Sequence, residues 1–161
     1  MTNNDVLRSV RYMLNLNDTQ MVAIVAQTES EVSEAEMQSF LKKEEEPGFR
    51  ACPDVIMCYF LNGLIFNRRG KNEDAPAPSI ERKMTNNIIL KKLRVAFDLK
   101  TTDIVDILKL ADFAVRQSEM GAIFRKPGHK NYRECGDQIL RNFLKGLTLN
   151  IRPPVKSPVA K

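Results

Sequence analysis

The chain has 161 residues, 43% hydrophobic and 28% charged, which bounds it to one ordinary domain or two very small ones around a packed core. Its opening, from Met1 to Leu14, carries charges and asparagines where a signal peptide would be apolar, and its longest apolar run, VIMCYFLNGLIF, is broken by Asn62 and too short for a bilayer. With three cysteines in no disulfide-framework spacing, the expectation is an unexported cytoplasmic protein with no membrane partner.

Along the chain, Asn3 and Asn4 are good N-cap residues, and Val6, Leu7, Val10 and Leu14 follow at the spacing of one helical face. A second helix begins near Thr19 with Met21, Val22, Ile24 and Val25. The run from Ser33 to Glu36 has a capping-box pattern and announces a third helix that ends near Lys43. A fourth starts around Asp54 and carries Ile56, Phe60, Leu61 and Leu64, with Gly63 placed as a C-cap near its end. The stretch GKNEDAPAPSIERK, residues 70–83, then reads as a solvated linker that reaches about 45 Å if fully extended.

Residues 84–152 repeat residues 1–69 without a gap at a constant offset of 83 positions, with roughly a third of positions identical. MTNNDVLRSVRYML meets MTNNIILKKLRVAF, Cys52 meets Cys135, Asp54 meets Asp137, and FLNGL meets FLKGL. Ile89, Leu90, Leu93 and Phe97 repeat the first stripe, a second helix begins near Thr102 with Ile104, Val105, Ile107 and Leu108, and Ile139, Phe143, Leu144 and Leu147 repeat the fourth. Arg116 stands where Ser33 caps the third helix, so only the apolar pattern supports that helix in the second copy. Gly146 is again placed as a C-cap, and residues 153–161 are expected to form a disordered tail. The fold class is therefore all-α, a tandem duplication of a four-helix unit. A unit of this size buries too little to be secure alone, so the halves are expected to pack with pseudo-twofold symmetry.

The copies differ in charge. Residues 1–69 hold 7 Lys+Arg against 10 Asp+Glu, a net of −3, whereas residues 84–152 hold 13 against 7, a net of +6. The contrast is sharpest between the third and fourth helices, where Glu44, Glu45 and Glu46 are opposed by Pro127, Gly128 and His129, and the segment from Pro127 to Asn131 is private to the second copy. Arg125, Lys126, Gly128, His129, Lys130, Asn131 and Arg133 are the candidate polyanion-binding residues, because clustered cations beside glycine-freed amides suit phosphates or a carboxylate-rich partner. Arg116 and Gln117 are secondary candidates should the basic copy read a groove, although the spacing is poor for a helix-turn-helix. Tyr132, matched by Phe49, reads as a core anchor.

Catalytic readings are weaker. A Cys-His pair would need His129 with Cys135, yet Cys135 has an equivalent in Cys52, whose copy contains no histidine. No metal-ligand spacing or phosphate loop is present, so no metal and no cofactor is expected. Asp54 and Asp137 fit helix starts better than a catalytic carboxylate pair. Arg11 and Arg94, on equivalent flanks of the first helices, read as covering the core or pairing with a neighbouring acid.

The paired openings TNNDVLRSVRYML and TNNIILKKLRVAF, the two FLxGL closings and the segment FRKPGHKNYRECGDQILRNFLKGL resemble the YehS-like bacterial family, domain of unknown function 1456. The resemblance covers the chain apart from the linker and tail, and implies a small bacterial cytoplasmic protein with a tandem repeat; it brings no activity, ligand or site residue. The expected function is a non-enzymatic binding protein whose second repeat engages nucleic acid or another polyanion. The alternative is a protein–protein adaptor or self-associating module that pairs acidic and basic repeats.

Overall fold

The computed structural model describes residues 1–71 and 78–152. Among these residues there are eight helices and no strands: α1 (Asn3–Leu14), α2 (Asp18–Val25), α3 (Glu34–Leu41) and α4 (Asp54–Arg69) in the first half, then α5 (Asn86–Ala96), α6 (Thr101–Leu110), α7 (Gln117–Ile123) and α8 (Asp137–Ile151) in the second. The expected tail, residues 153–161, lies outside the described residues.

Local chemistry sets the helix starts. Thr2 caps α1 and Asp5 returns the bond to the Thr2 amide, Asn17 and Gln20 do the same for α2, and Ser33 and Glu36 for α3. In the second half Thr85 still caps α5, but Arg116 gives α7 no side-chain cap, in line with the loss of Ser33's hydroxyl there. The paired asparagines do not cap. Asn4 is instead buried and its amide ties distant backbone together, donating to the carbonyls of Phe40 (2.9 Å) and Arg50 (2.8 Å) and accepting from the Cys52 N–H (3.1 Å).

The apolar stripes bury as their spacing requires. Val6, Leu7, Val10, Met21, Met37, Phe60 and Leu64 from the first half join Leu90, Leu93, Ile104, Met120, Phe143 and Leu147 from the second in one continuous core. Within each half α2 packs on α4 and α6 on α8; between halves α1 packs on α8 and α5 on α4. The first helix of each repeat therefore seats on the last helix of the other, and one core serves both.

The pseudo-twofold relation is read from reciprocal bonds. The Asn3 amide donates to the Asp54 carboxylate (2.8 Å), which also accepts the main-chain N–H of Met84, the opening residue of the other half (3.2 Å). The Asn86 amide donates to Asp137 (2.7 Å), which accepts the Met1 ammonium (2.7 Å). Asp54 and Asp137 thus lie in the first turns of α4 and α8 and also bridge the repeats.

Two expectations are corrected here. Gly63 and Gly146 are not C-caps but lie inside α4 and α8, where the helices cross α2 and α6 so closely that a Cβ would meet the Ile24 or the Ile107 carbonyl oxygen. The linker is not wholly solvated either, because Ser79 to Glu81 dock by hydrogen bonds onto α4 and α5.

Candidate functional site

The connection between the third and fourth helices has the same pattern of backbone hydrogen bonds in both halves. In the first, the Glu46 N–H donates to the Lys43 carbonyl (2.9 Å), the Phe49 N–H to Glu46 (3.2 Å) and the Arg50 N–H to Ser39 (3.1 Å). In the second, at the offset of the repeat, the His129 N–H donates to Lys126 (3.1 Å), the Tyr132 N–H to His129 (2.9 Å) and the Arg133 N–H to Ala122 (3.2 Å). Each frame is anchored by the buried or half-buried asparagine of the first turn, Asn4 or Asn87; Asn87 donates to the carbonyls of Ile123 (3.1 Å) and Arg133 (2.8 Å) and accepts from the Cys135 N–H (2.9 Å). The segment from Pro127 to Asn131 is therefore no inserted structure but a rewritten surface on a shared frame. Even the glycines differ in place: Gly48 has φ +86° in the acidic loop and Gly128 φ +91° in the basic one, yet Gly48 aligns with Asn131 and Gly128 with Glu45.

The candidate residues are divided by their contacts. Arg125, Lys126, Gly128, His129, Lys130 and Asn131 are all exposed. Arg125, Lys126 and Lys130 form no ion pair among the described residues, whereas the Arg133 guanidinium is committed to Glu119 at 2.9 Å. His129 Nδ1 accepts the Asn131 N–H (3.0 Å), so this ring helps close the turn. No atom would lie within 4 Å of a Cβ on Gly128, which leaves its backbone open to an approaching group. Arg116 and Gln117 are exposed at the start of α7, a helix of seven residues and roughly 10 Å, with Glu119 in the same turn. Through Glu119, which pairs with Arg133, that turn touches the end of the basic loop.

Lys91 is the second half's equivalent of Arg8, which stands at the base of the acidic loop. In the first half Asp5 pairs with Arg8, whose Nη1 donates to the Lys42 carbonyl at 2.9 Å, at the base of the acidic loop. At the equivalent positions stand Ile88, Lys91 and Arg125. The acid has gone, and an exposed lysine stands on α5 one turn after Asn87, the residue that holds the basic loop. The swap of Asp5 for Ile88 is the signal that betrays it.

Because both loops hang on the first turns of α1 and α5, which meet across the pseudo-twofold, they flank the same end of the molecule. An open cleft of about 390 Å³ runs there between the acidic loop and the opening of the second half, lined by Glu44, Phe49 and Asp54 on one side and Met84, Asn86 and Ile89 on the other. Phe49 and Tyr132 are half-buried and stand outside the core, so neither is the core anchor expected.

The thiols of Cys52 and Cys135 are quiet. Burial first, and then the Asp54 carboxylate, pushes Cys52 up to about 12; burial and then Asp137 push Cys135 up to about 11. Arg11 pairs with Asp18 and donates to the Leu16 carbonyl, while Arg94 donates to Leu99 and lies over the Phe124 ring, which agrees with a structural duty for both. Among the described residues no helix is long and apolar enough to cross a membrane.

The fold and its loops define an all-α protein built from two copies of one helical unit. The family described as "Protein of unknown function (DUF1456)" matches the chain twice, over residues 3–70 and 86–152, and the chain belongs to that family. It is 52% identical over 147 residues to the "Uncharacterized protein YehS" of Escherichia coli (strain K12), across 91% of this chain and 94% of that protein. No solved structure matches.

Proposed function

We propose that this is a non-enzymatic binding protein whose basic second repeat engages a polyanion, nucleic acid foremost, through the loop from Arg125 to Asn131 with Lys91 beside it. The observation that carries the reading is the shared loop frame with opposite charge. Main-chain turns and an asparagine hold the loop, so Arg125, Lys126 and Lys130 are not consumed in shaping it and stay free for a partner. The raised Cys52 and Cys135 thiols and the turn-closing role of His129 favour binding over nucleophilic chemistry.

The test is fluorescence anisotropy with short labelled DNA and RNA across a salt series. Affinity is expected to fall steeply with salt, and Lys126→Glu with Lys130→Glu to weaken binding alike across sequences. Salt-insensitive binding, or none at micromolar protein in low salt, defeats the proposal.

A second reading is favoured by one observation, the acidic and basic loops at the same end of the molecule. In that reading copies of the chain, or the chain and another protein, pair acidic loop to basic loop. Within a chain the repeats pack through their apolar core, and no ion pair among the described residues joins Glu44, Glu45 or Glu46 to the basic loop. Light scattering without nucleic acid should then show an oligomer that dissociates with salt, and a monomer at every ionic strength removes self-pairing.

A further inference from the structure

The pseudo-twofold symmetry fails at one place on the seam between the repeats. Lys92, on α5, is only 7% exposed, yet among the described residues no acid forms an ion pair with it. Its Nζ donates to the Asn62 Oδ1 on α4 (2.7 Å) and to the main-chain carbonyl of Ser79 (2.9 Å). That one carbonyl oxygen also accepts from the Asn62 Nδ2 (3.2 Å) and faces the Cys58 thiol (3.7 Å). Two residues on, the Glu81 N–H donates back to Cys58 Sγ (3.2 Å). The equivalents of Lys92, Asn62 and Cys58 are Ser9, Lys145 and Arg141, so the other seam has no such cluster.

The segment over this cluster is held in an unusual way. Ser79 is exposed and Ile80 is 55% exposed, so little apolar burial fastens residues 79–81. What holds them is main-chain hydrogen bonding to three side chains of the seam. Attachment without apolar burial belongs to the low end of local stability, below that of the helices it rests on. Under it lie a fully buried thiol and a buried amine, the two side chains of the seam with nucleophilic chemistry.

We propose that residues 79–81 form a displaceable strap, seated between α4 and α5 by Lys92, Asn62 and Cys58, whose release opens Lys92 and Cys58 to solvent while the two repeats remain packed. The strap joins the repeats in sequence, and Lys92 is its principal latch because its ammonium is the charged donor among the three side chains that bond it.

The three cysteines provide the test, because Cys52 and Cys135 are buried away from the strap. The full chain is treated with a maleimide and each cysteine's labelling rate is read by peptide mass spectrometry. In Lys92→Met, Cys58 labelling is expected to quicken about tenfold as its charge-assisted bond to the strap is lost, with Cys52 and Cys135 unchanged. Glu81→Pro removes the N–H to Cys58 from the strap side without touching a helix, and should act in the same direction. A Cys58 rate unmoved in both variants overturns the proposal. So does a rise shared by all three cysteines, since the seam then opens only with the fold.

Discussion

Gly63 passes Ile24 so closely that a Cβ on the glycine would stand 1.9 Å from the Ile24 carbonyl oxygen, and Gly146 repeats this against Ile107 at 2.1 Å. Backbone, not a flexible side chain, occupies the space, so relief requires moving α4 off α2 or α8 off α6. Gly63→Ala and Gly146→Ala are each expected to destabilise by about 3 kcal/mol or more, the upper part of the overpacking range. Gly121→Ala is the control: it meets nothing within 4 Å and lies in α7, so it should be neutral or stabilise by up to about 1 kcal/mol. Urea unfolding of the three variants decides it.

Asn4 and Asn87 each satisfy two carbonyls and one N–H from the far side of their repeat. Replacement by alanine strands those groups, the more so at Asn4, which is 2% exposed. Asn4→Ala should cost about 2–4 kcal/mol, with Asn87→Ala somewhat less because the Arg133 carbonyl is nearer water. Hydrogen exchange should also quicken at the turn amides of the affected loop, Glu46 and Phe49 or His129 and Tyr132. Unchanged exchange in both loops would contradict the anchoring role.

The duplication, the eight helices and most core positions were legible because stripes such as Val6, Leu7 and Val10 signal a buried face wherever they are placed. Positions misjudged were those whose duty is distant. Asn3 and Asn4 look like caps, but local rules carry no information on partners such as Cys52 or Phe40. Gly63 resembles a terminator because a close helix crossing leaves the same residue type in the sequence. The basic loop was legible through its contrast with Glu44 to Glu46. Lys91 was hidden because its tie to the loop runs through Asn87, one turn earlier on α5, and Lys92 because a buried lysine reads as an exposed one until Asn62 and Ser79 are seen around it.

Since both loops share one frame, their surfaces should be exchangeable. Replacing residues 127–131 with Glu-Glu-Glu-Pro-Gly, the run at 44–48, keeps the turns and supplies the glycine where that frame uses it. Stability should change by less than about 1 kcal/mol, as for other surface exchanges. Polyanion affinity should fall to background and its salt dependence flatten. A swapped chain that binds as before would place the contact elsewhere in the second repeat.

Lys92 gives the fold a pH dependence whose sign follows from its surroundings. Burial lowers its pKa below the ordinary 10.5, with Cys58 on α4 and Glu81 on the strap opposing the shift and Lys91 on α5 adding to it. The unfolded chain therefore holds this proton up to about pH 10.5 while the folded chain releases it earlier. Between the lowered value and 10.5 the unfolded state binds more protons, and stability from this group rises with pH. Lys92→Met has no such group. In a Cys58→Ala background the parent should gain stability relative to Lys92→Met as pH rises toward 10.5, measured by urea unfolding. A gap that stays constant over that range would mean that Lys92 titrates in the fold as it does in water.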